Sequence, residues 1–139
     1  MVSYESKEQL MAVFQEFWAR AIKLPVYQKL LESGIIARFD IEDPEATLTI
    51  DLRNPGPDGK IGSLSFEPGP EPDITVWSRS EMANRFWQGK LRTSLAMAKG
   101  DIKLEGSVMK GLSLIGKIKP LYEVYIGVLK DLDLEQLLV

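Results

Sequence analysis

Two stretches of strict alternation constrain this chain more than anything else in it. Ala37, Phe39 and Ile41 alternate with Arg38, Asp40 and Glu42. After the Asp43-Pro44-Glu45 turn, Leu48, Ile50 and Leu52 alternate with Thr47, Thr49, Asp51 and Arg53. Side chains on a strand point to opposite faces with a period of two, so these segments predict an antiparallel pair with one apolar and one wet face. The wet set Arg38, Asp40, Thr49 and Asp51 is expected in water. Three shorter segments repeat the pattern: Gly62, Leu64 and Phe66; then Ile74 and Val76, running on to Trp77 and Ser78; then Ile102 and Leu104, closed by Gly106. When every strand has at most one apolar face, all helices must cover that same side. The fold class that follows is α+β with two layers.

The rest of the chain supplies the helices. Ser6 and Gln9 form a capping box ahead of Leu10, Val13, Phe14, Phe17, Ala21 and Leu24, an apolar stripe at intervals of three and four. Pro25 suits the first turn of a second segment with Val26, Leu30 and Leu31, which Gly34 stops. Asn54 to Gly59 reads as a loop, and Pro68, Pro70 and Pro72 break the strand pattern. Ser78 and Glu81 predict a capped short helix with Met82, Phe86 and Trp87 on one side, ended by Gly89. Another short helix runs from Thr93 to Lys99 and ends at Gly100. Ser107 starts a helical tail that Pro120 divides. Beyond Pro120, Leu121, Val124, Tyr125, Val128, Leu129 and Leu132 form a narrow stripe. A helix held by such a stripe behind a proline hinge is expected to open more readily than the sheet. With no repeat, linker or low-complexity tract, residues 1–139 read as a single domain.

The absences bear on chemistry. The chain has no histidine and no cysteine, which removes the commonest general base, the thiolate nucleophile and the usual transition-metal ligands. Any catalysis would need perturbed carboxylates, a perturbed lysine or a tyrosine, and no Asp/Asn/Gly loop has the spacing of a calcium site. No enzymatic activity, no cofactor and no metal site is therefore expected. No apolar run approaches the ~20 residues that span a bilayer, and the opening MVSYESKEQL lacks the regions of a signal peptide, so a cytoplasmic location is expected. The net charge of −3 is unevenly spread: residues 40–73 sum to −7 and residues 85–119 to +6. The overall balance argues against nucleic acid as a partner, while the basic segment suits an anionic head group.

The most informative segment, Asp73 to Gly106, reads DITVWSRSEMANRFWQGKLRTSLAMAKGDIKLEG. A Pro-Asp strand leads into a short helix ending in an aromatic pair and Gly89-Lys90-Leu91. A second short helix runs to Gly100, and an Ile-Lys-Leu-Glu-Gly strand closes the unit. This unit resembles the sterol carrier protein 2 (SCP-2) family of sterol- and lipid-transfer domains, and the order of elements extends the resemblance to nearly the whole chain. There are departures. Gly100-Asp101 stands where members often have Gly-Lys, and Arg92-Thr93 follow the first Gly-Lys-Leu where many have a proline. Both bear on head-group preference, and neither touches an apolar position. The C-terminal Leu137-Leu138-Val139 is not a peroxisomal Ser-Lys-Leu signal.

The resemblance implies a five-stranded, mostly antiparallel sheet with helices on one face and an apolar tunnel between the layers, capped by the C-terminal helix. It implies non-catalytic binding or transfer of a sterol, fatty acid, fatty acyl-CoA or phospholipid. The apolar wall would then comprise Phe14, Phe17, Phe39, Leu48, Ile50, Phe66, Met82, Phe86, Trp87, Leu95, Met109, Leu112 and Tyr125. Each serves equally well as plain core filling, and Tyr125 needs a polar partner for its hydroxyl, whether a ligand or a backbone carbonyl. Lys110, Lys117 and Lys119 would dock a head group or a membrane surface; solvated surface is their alternative. The partners expected are a lipid or other apolar small molecule and, transiently, a membrane surface, with monomer and dimer both open. The alternative function is a structural or interaction module that keeps the fold with a filled pocket, acting as an oligomer or as partner of a lipid enzyme.

Overall fold

A computed structural model describes residues 3–139. In chain order the elements are α1 (Lys7–Ala21), α2 (Val26–Ser33), β1 (Ile36–Glu42), β2 (Ala46–Pro55), β3 (Ile61–Ser65), β4 (Ile74–Arg79), α3 (Ser80–Trp87), α4 (Thr93–Lys99), β5 (Ile102–Gly106), α5 (Val108–Ile118) and α6 (Tyr122–Asp131). Short 3-10 turns occupy Lys119–Leu121 and Glu135–Leu137. α1 begins much as the sequence predicts. Ser6 Oγ accepts the Gln9 N–H, and Gln9 Oε1 accepts the N–H of Glu5, which satisfies donors that a helix start leaves open. The Ser78 cap does not form. Ser78 is a buried strand residue opposite Ile102, and α3 starts two residues later without a side-chain cap. The hydroxyl of Ser80 donates instead to the carbonyl of Asp43.

The sheet runs β3-β2-β1-β4-β5, with β1 and β4 parallel and every other pair antiparallel. Its register collects the apolar positions into rows across the inner face. Leu48, Phe39, Val76 and Leu104 make one row, and Leu64, Ile50, Ala37 and Ile74 the next. Helix aromatics pack on these rows. The Trp87 ring lies 5.2 Å from Phe17, 5.8 Å from Phe14 and 5.6 Å from Phe39, centroid to centroid, within the range favoured for aromatic pairs.

The outer face differs from expectation at two positions. Arg38 and Asp40 are half-exposed and paired at 3.3 Å, but Thr49 and Asp51 are only 2% and 8% exposed. The proline-rich segment after β3 folds back over Thr49, whose hydroxyl donates to the carbonyl of Glu67. Asp51 turns its carboxylate onto the N–H groups of Arg53 and Asn54, each at 2.9 Å, where the β2–β3 register shifts. Both polar groups are buried with partners, as buried polar groups generally are. Across β1, β4 and β5 the outer face stays open, around Arg38, Thr75, Trp77 and Lys103.

Asp73, at the entry to β4, pins this arrangement. Its carboxylate accepts from the Ile36 N–H at 2.9 Å, Arg53 Nη2 at 2.6 Å and Lys110 Nζ at 3.0 Å. Partial burial pushes this carboxyl up, but the hydrogen bonds outweigh it and hold the group at about 2. The Asp73 backbone carbonyl accepts from Ser107 N–H. Gly106 makes that approach possible, because a Cβ there would lie 2.3 Å from the Asp73 carbonyl oxygen, with φ at +95°.

Candidate ligand-binding cleft

α5 lies over the β4–β5 end of the inner face. Gly111 faces the sheet, and a Cβ on it would already be 3.2 Å from Leu104, so its bare backbone lets the helix settle close. Between helix and sheet runs an apolar cleft. Its sheet wall is Phe39, Ile74, Val76, Ile102 and Leu104; α3 adds Phe86; α4 adds Thr93 and Met97; α5 adds Gly111, Leu114, Ile115 and Ile118. Thr93 alone brings a polar side-chain atom. The cavity volume is ≈ 20 Å³, about the room of one water. A hydrocarbon chain therefore enters only if the walls part.

α5 has two apolar faces. Gly111, Leu114 and Ile118 are buried, whereas Met109, Leu112 and Val108 are 83%, 57% and 51% exposed. Lys110 is held by Asp73. Lys117 Nζ donates to Ser113 Oγ at 2.8 Å, and neither Lys117 nor Lys119 has an acidic partner among the described residues. On the α4 side of the cleft, Arg85, Lys90, Arg92 and Lys99 surround a shallow depression with Asp101 as the one acid lining it.

Of the wall residues expected from sequence, Phe39 and Phe86 line the cleft. Phe14, Phe17, Leu48, Ile50, Trp87 and Tyr125 are buried in the solid core beside it, and Phe66 packs half-buried against that core. Met82 is half-buried and borders the basic depression. Leu95, Met109 and Leu112 are on the surface, not on an inner wall, with Leu95 43% exposed. α4 buries Ala96 in place of Leu95. In α5 apolar residues occupy most of the circumference, so spacing does not choose the inward face; Gly111 takes it where Leu112 was expected. Sequence reasoning did not name Ile74, Val76, Met97, Ile102, Leu104, Leu114, Ile115 or Ile118 as site residues. Strand parity turned Val76 and Leu104 inward. Their meeting with Phe39 depends on β4 lying beside β1, which the long connection between those strands conceals.

The helix expected as a lid is core. Leu121, Tyr125, Val128 and Leu129 are at most 1% exposed, and a polar cluster locks them in place. The Tyr125 hydroxyl donates to Asn84 Oδ1 at 2.7 Å and is hydrogen-bonded to the Tyr4 hydroxyl. Asn84 Nδ2 and Gln88 Nε2 both donate to the Leu137 carbonyl, at 2.8 and 2.9 Å, and Gln88 Oε1 accepts from Val139 N–H at 3.0 Å. Burial pushes both phenols up, which keeps them protonated as donors. Tyr125 thus finds its partner in a side-chain amide, and the chain terminus is strapped down by the same cluster. The element that roofs the cleft is α5, one helix earlier than expected.

Among the described residues no helix is long and apolar enough to cross a membrane. Comparison with curated proteins found no match. Among solved structures, sterol carrier protein 2 from Yarrowia lipolytica, in its apo form, aligns with a TM-score of 0.61 at 17% identity, covering 79% of this chain and 87% of that one. Sterol carrier protein domain 2 of Helicoverpa armigera aligns with a TM-score of 0.57 at 24% identity, covering 84% and 89%. The sec-alkylsulfatase Pisa1 from Pseudomonas sp. aligns with a TM-score of 0.55 at 23% identity over 69% of this chain but 14% of the enzyme. At these identities the likeness is one of fold. The model of the SCP-2 sterol transfer family matches residues 25–119, which take in α2 through α5 and the whole cleft, and the chain belongs to that family.

Proposed function

We propose that this chain binds one apolar ligand (a sterol, fatty acid, fatty acyl-CoA or phospholipid) between α5 and the sheet, and carries it without chemical change. The observation that carries this reading is the cleft itself, where Thr93 is the only lining residue with a polar side-chain atom. Family membership supports lipid binding or transfer in general. Phe39 and Phe86 touch the ligand, with Val76, Met97, Leu104 and Leu114 around them. Hydrocarbon entering there replaces the contacts of α5 in kind, at roughly 25 cal/mol per Å² of apolar surface kept from water. An anionic head group at the mouth meets Lys117 and Lys119, and Lys110 if Asp73 releases it. The described lining residues include no general base, so a bound ester is expected to leave intact.

The test is titration with a fluorescent fatty acid, alongside native mass spectrometry of the gently purified protein. Val76→Trp or Leu104→Trp overfills the ≈ 20 Å³ space, costs about 1–3 kcal/mol of stability, and is expected to weaken binding at least about tenfold, or ~1.4 kcal/mol, under conditions where circular dichroism shows the variant folded. Undiminished binding by both variants would refute the site. The small cavity favours a second reading, a structural or interaction module with a filled pocket. A clean apo mass with no titratable lipid would support that module.

A further inference from the structure

We propose that two copies of this chain associate through the free edge of β3, so that the sheet continues antiparallel from one copy into the other. β3 ends the sheet on one side and β5 on the other. β5 carries Lys103 and Glu105, and charges on an edge strand discourage pairing with another chain. β3, reading Ile61-Gly62-Ser63-Leu64-Ser65, carries no charge and no proline. The ladder shows which of its backbone groups are open. The Leu52 N–H donates to the Ile35 carbonyl at 3.0 Å, so Leu52, and by alternation Ile50, turn their backbone groups toward β1. Leu64 stands opposite Ile50 and therefore turns its N–H and carbonyl away from β2, to the free edge. The register shift lies between Asp51 and Pro55, which leaves Ser63–Ser65 in regular pairing.

Beside this edge the ends of α1 and α2 leave an open groove of ≈ 490 Å³, with Trp18, Ile22, Tyr27, Ile61 and Leu64 in its wall. Ile22 and Ile61 are each 44% exposed. An open strand edge takes an extended chain, and a groove of this kind takes apolar side chains next to it. The flanking charges point to a second copy as the occupant. Lys60 precedes the strand and Glu67 follows it. Both are exposed, and neither has an ion-pair partner within 4.0 Å among the described residues. A two-fold axis at Leu64 lets the two Leu64 residues exchange N–H to carbonyl bonds and sets Ile61 opposite Glu67 of the second copy. Each Lys60 then falls beside Glu67 of the other copy, and the contact is made twice. The two grooves come together across the axis and shield their apolar residues jointly. The ligand cleft lies at the β4–β5 end, so both clefts stay accessible in the pair.

Sedimentation equilibrium over rising protein concentration is the first test. A monomer–dimer equilibrium is expected, with no larger species, because isologous pairing uses up the open edge. Lys60→Glu and Glu67→Lys are each expected to raise the dimer dissociation constant at least about tenfold at low salt. The double variant Lys60→Glu/Glu67→Lys is expected to recover most of that loss, since the swapped pattern is again self-complementary. All three should keep the wild-type unfolding midpoint where the wild type is monomeric. The chain has no cysteine, so a single introduced thiol reports the register. Leu64→Cys places two thiols across the axis with Cα atoms about 5.5 Å apart, within disulfide reach, and should give a covalent dimer on mild oxidation. Lys103→Cys on the β5 edge should stay monomeric under the same conditions. A wild type that is monomeric at every concentration would overturn the proposal. So would a dimer indifferent to both charge reversals, a double variant no better than either single one, or cross-linking at 103 in place of 64.

Discussion

α6 buries Tyr125, Val128 and Leu129 completely, ties the Tyr125 hydroxyl to Asn84 and Tyr4, and packs beside α1. α5, separated from it by only Lys119–Leu121, buries Leu114 and Ile118 but leaves Met109 and Leu112 in solvent. Both helices are apolar, and α5 is the more apolar of the two by composition. Apolarity alone therefore does not measure how firmly a helix is held. α6 is held by one continuous buried stripe and a polar cluster with a fixed geometry; α5 is pinned at its start by the Asp73–Lys110 pair and beyond it rests on a short row of apolar contacts over the cleft. The first arrangement suits a core, and the second suits a roof that lifts.

The comparison breaks if the two helices answer truncation alike. Leu129→Ala in α6 is expected to cost about 2–5 kcal/mol of folding stability, whereas Met109→Ala in α5 is expected to stay within about 0.5 kcal/mol; denaturant unfolding at equilibrium measures both. Asn84→Ala is expected to cost about 1–3 kcal/mol, because it leaves the Tyr125 hydroxyl and the Leu137 carbonyl short of partners in the core. Part of that loss should return in the double variant with Tyr125→Phe, and a strictly additive double variant would contradict the cluster.

A smaller effect separates the start of α5 from α6 through pH. The folded pKa of Asp73, about 2, lies below its ordinary value of 3.8. The stability this group contributes is therefore complete above about pH 4 and is lost as pH falls toward about 2. Asp73→Asn should lower stability at neutral pH and flatten the decline over that window. Hydrogen exchange at the start of α5, where Lys110 is held, should speed up in that variant, while α6 is untouched.

Much of the fold was legible because alternation is a local signal: Phe39, Leu48 and Ile50 could face only one way once Arg38, Asp40 and Glu42 faced the other. The burial of Thr49 was not legible, because the segment at Glu67 that covers it is far along the chain. The candidate cleft was less legible than the fold. Phe39 and Phe86 were named, yet Val76 and Leu104 join them only through the parallel pairing of β1 with β4. α5 misled most, since Leu112 and Leu114 are equivalent by composition and only the close seat of Gly111 on Leu104 decides which one turns inward. The lid was misplaced for a related reason. A narrow stripe after Pro120 resembles weak anchoring, and nothing local to α6 announces Asn84.

Hydrogen exchange resolved along residues 108–131, without and with a fatty acid shown to bind, tests the central claim most directly. The amides of α5 are expected to exchange faster than those of α6, which should match the central strands, and ligand is expected to slow α5 alone. If α5 is as slow as α6 and indifferent to the bound ligand, or if α6 is the helix that responds, then the roof of the site is not α5 and this account of the cleft is wrong.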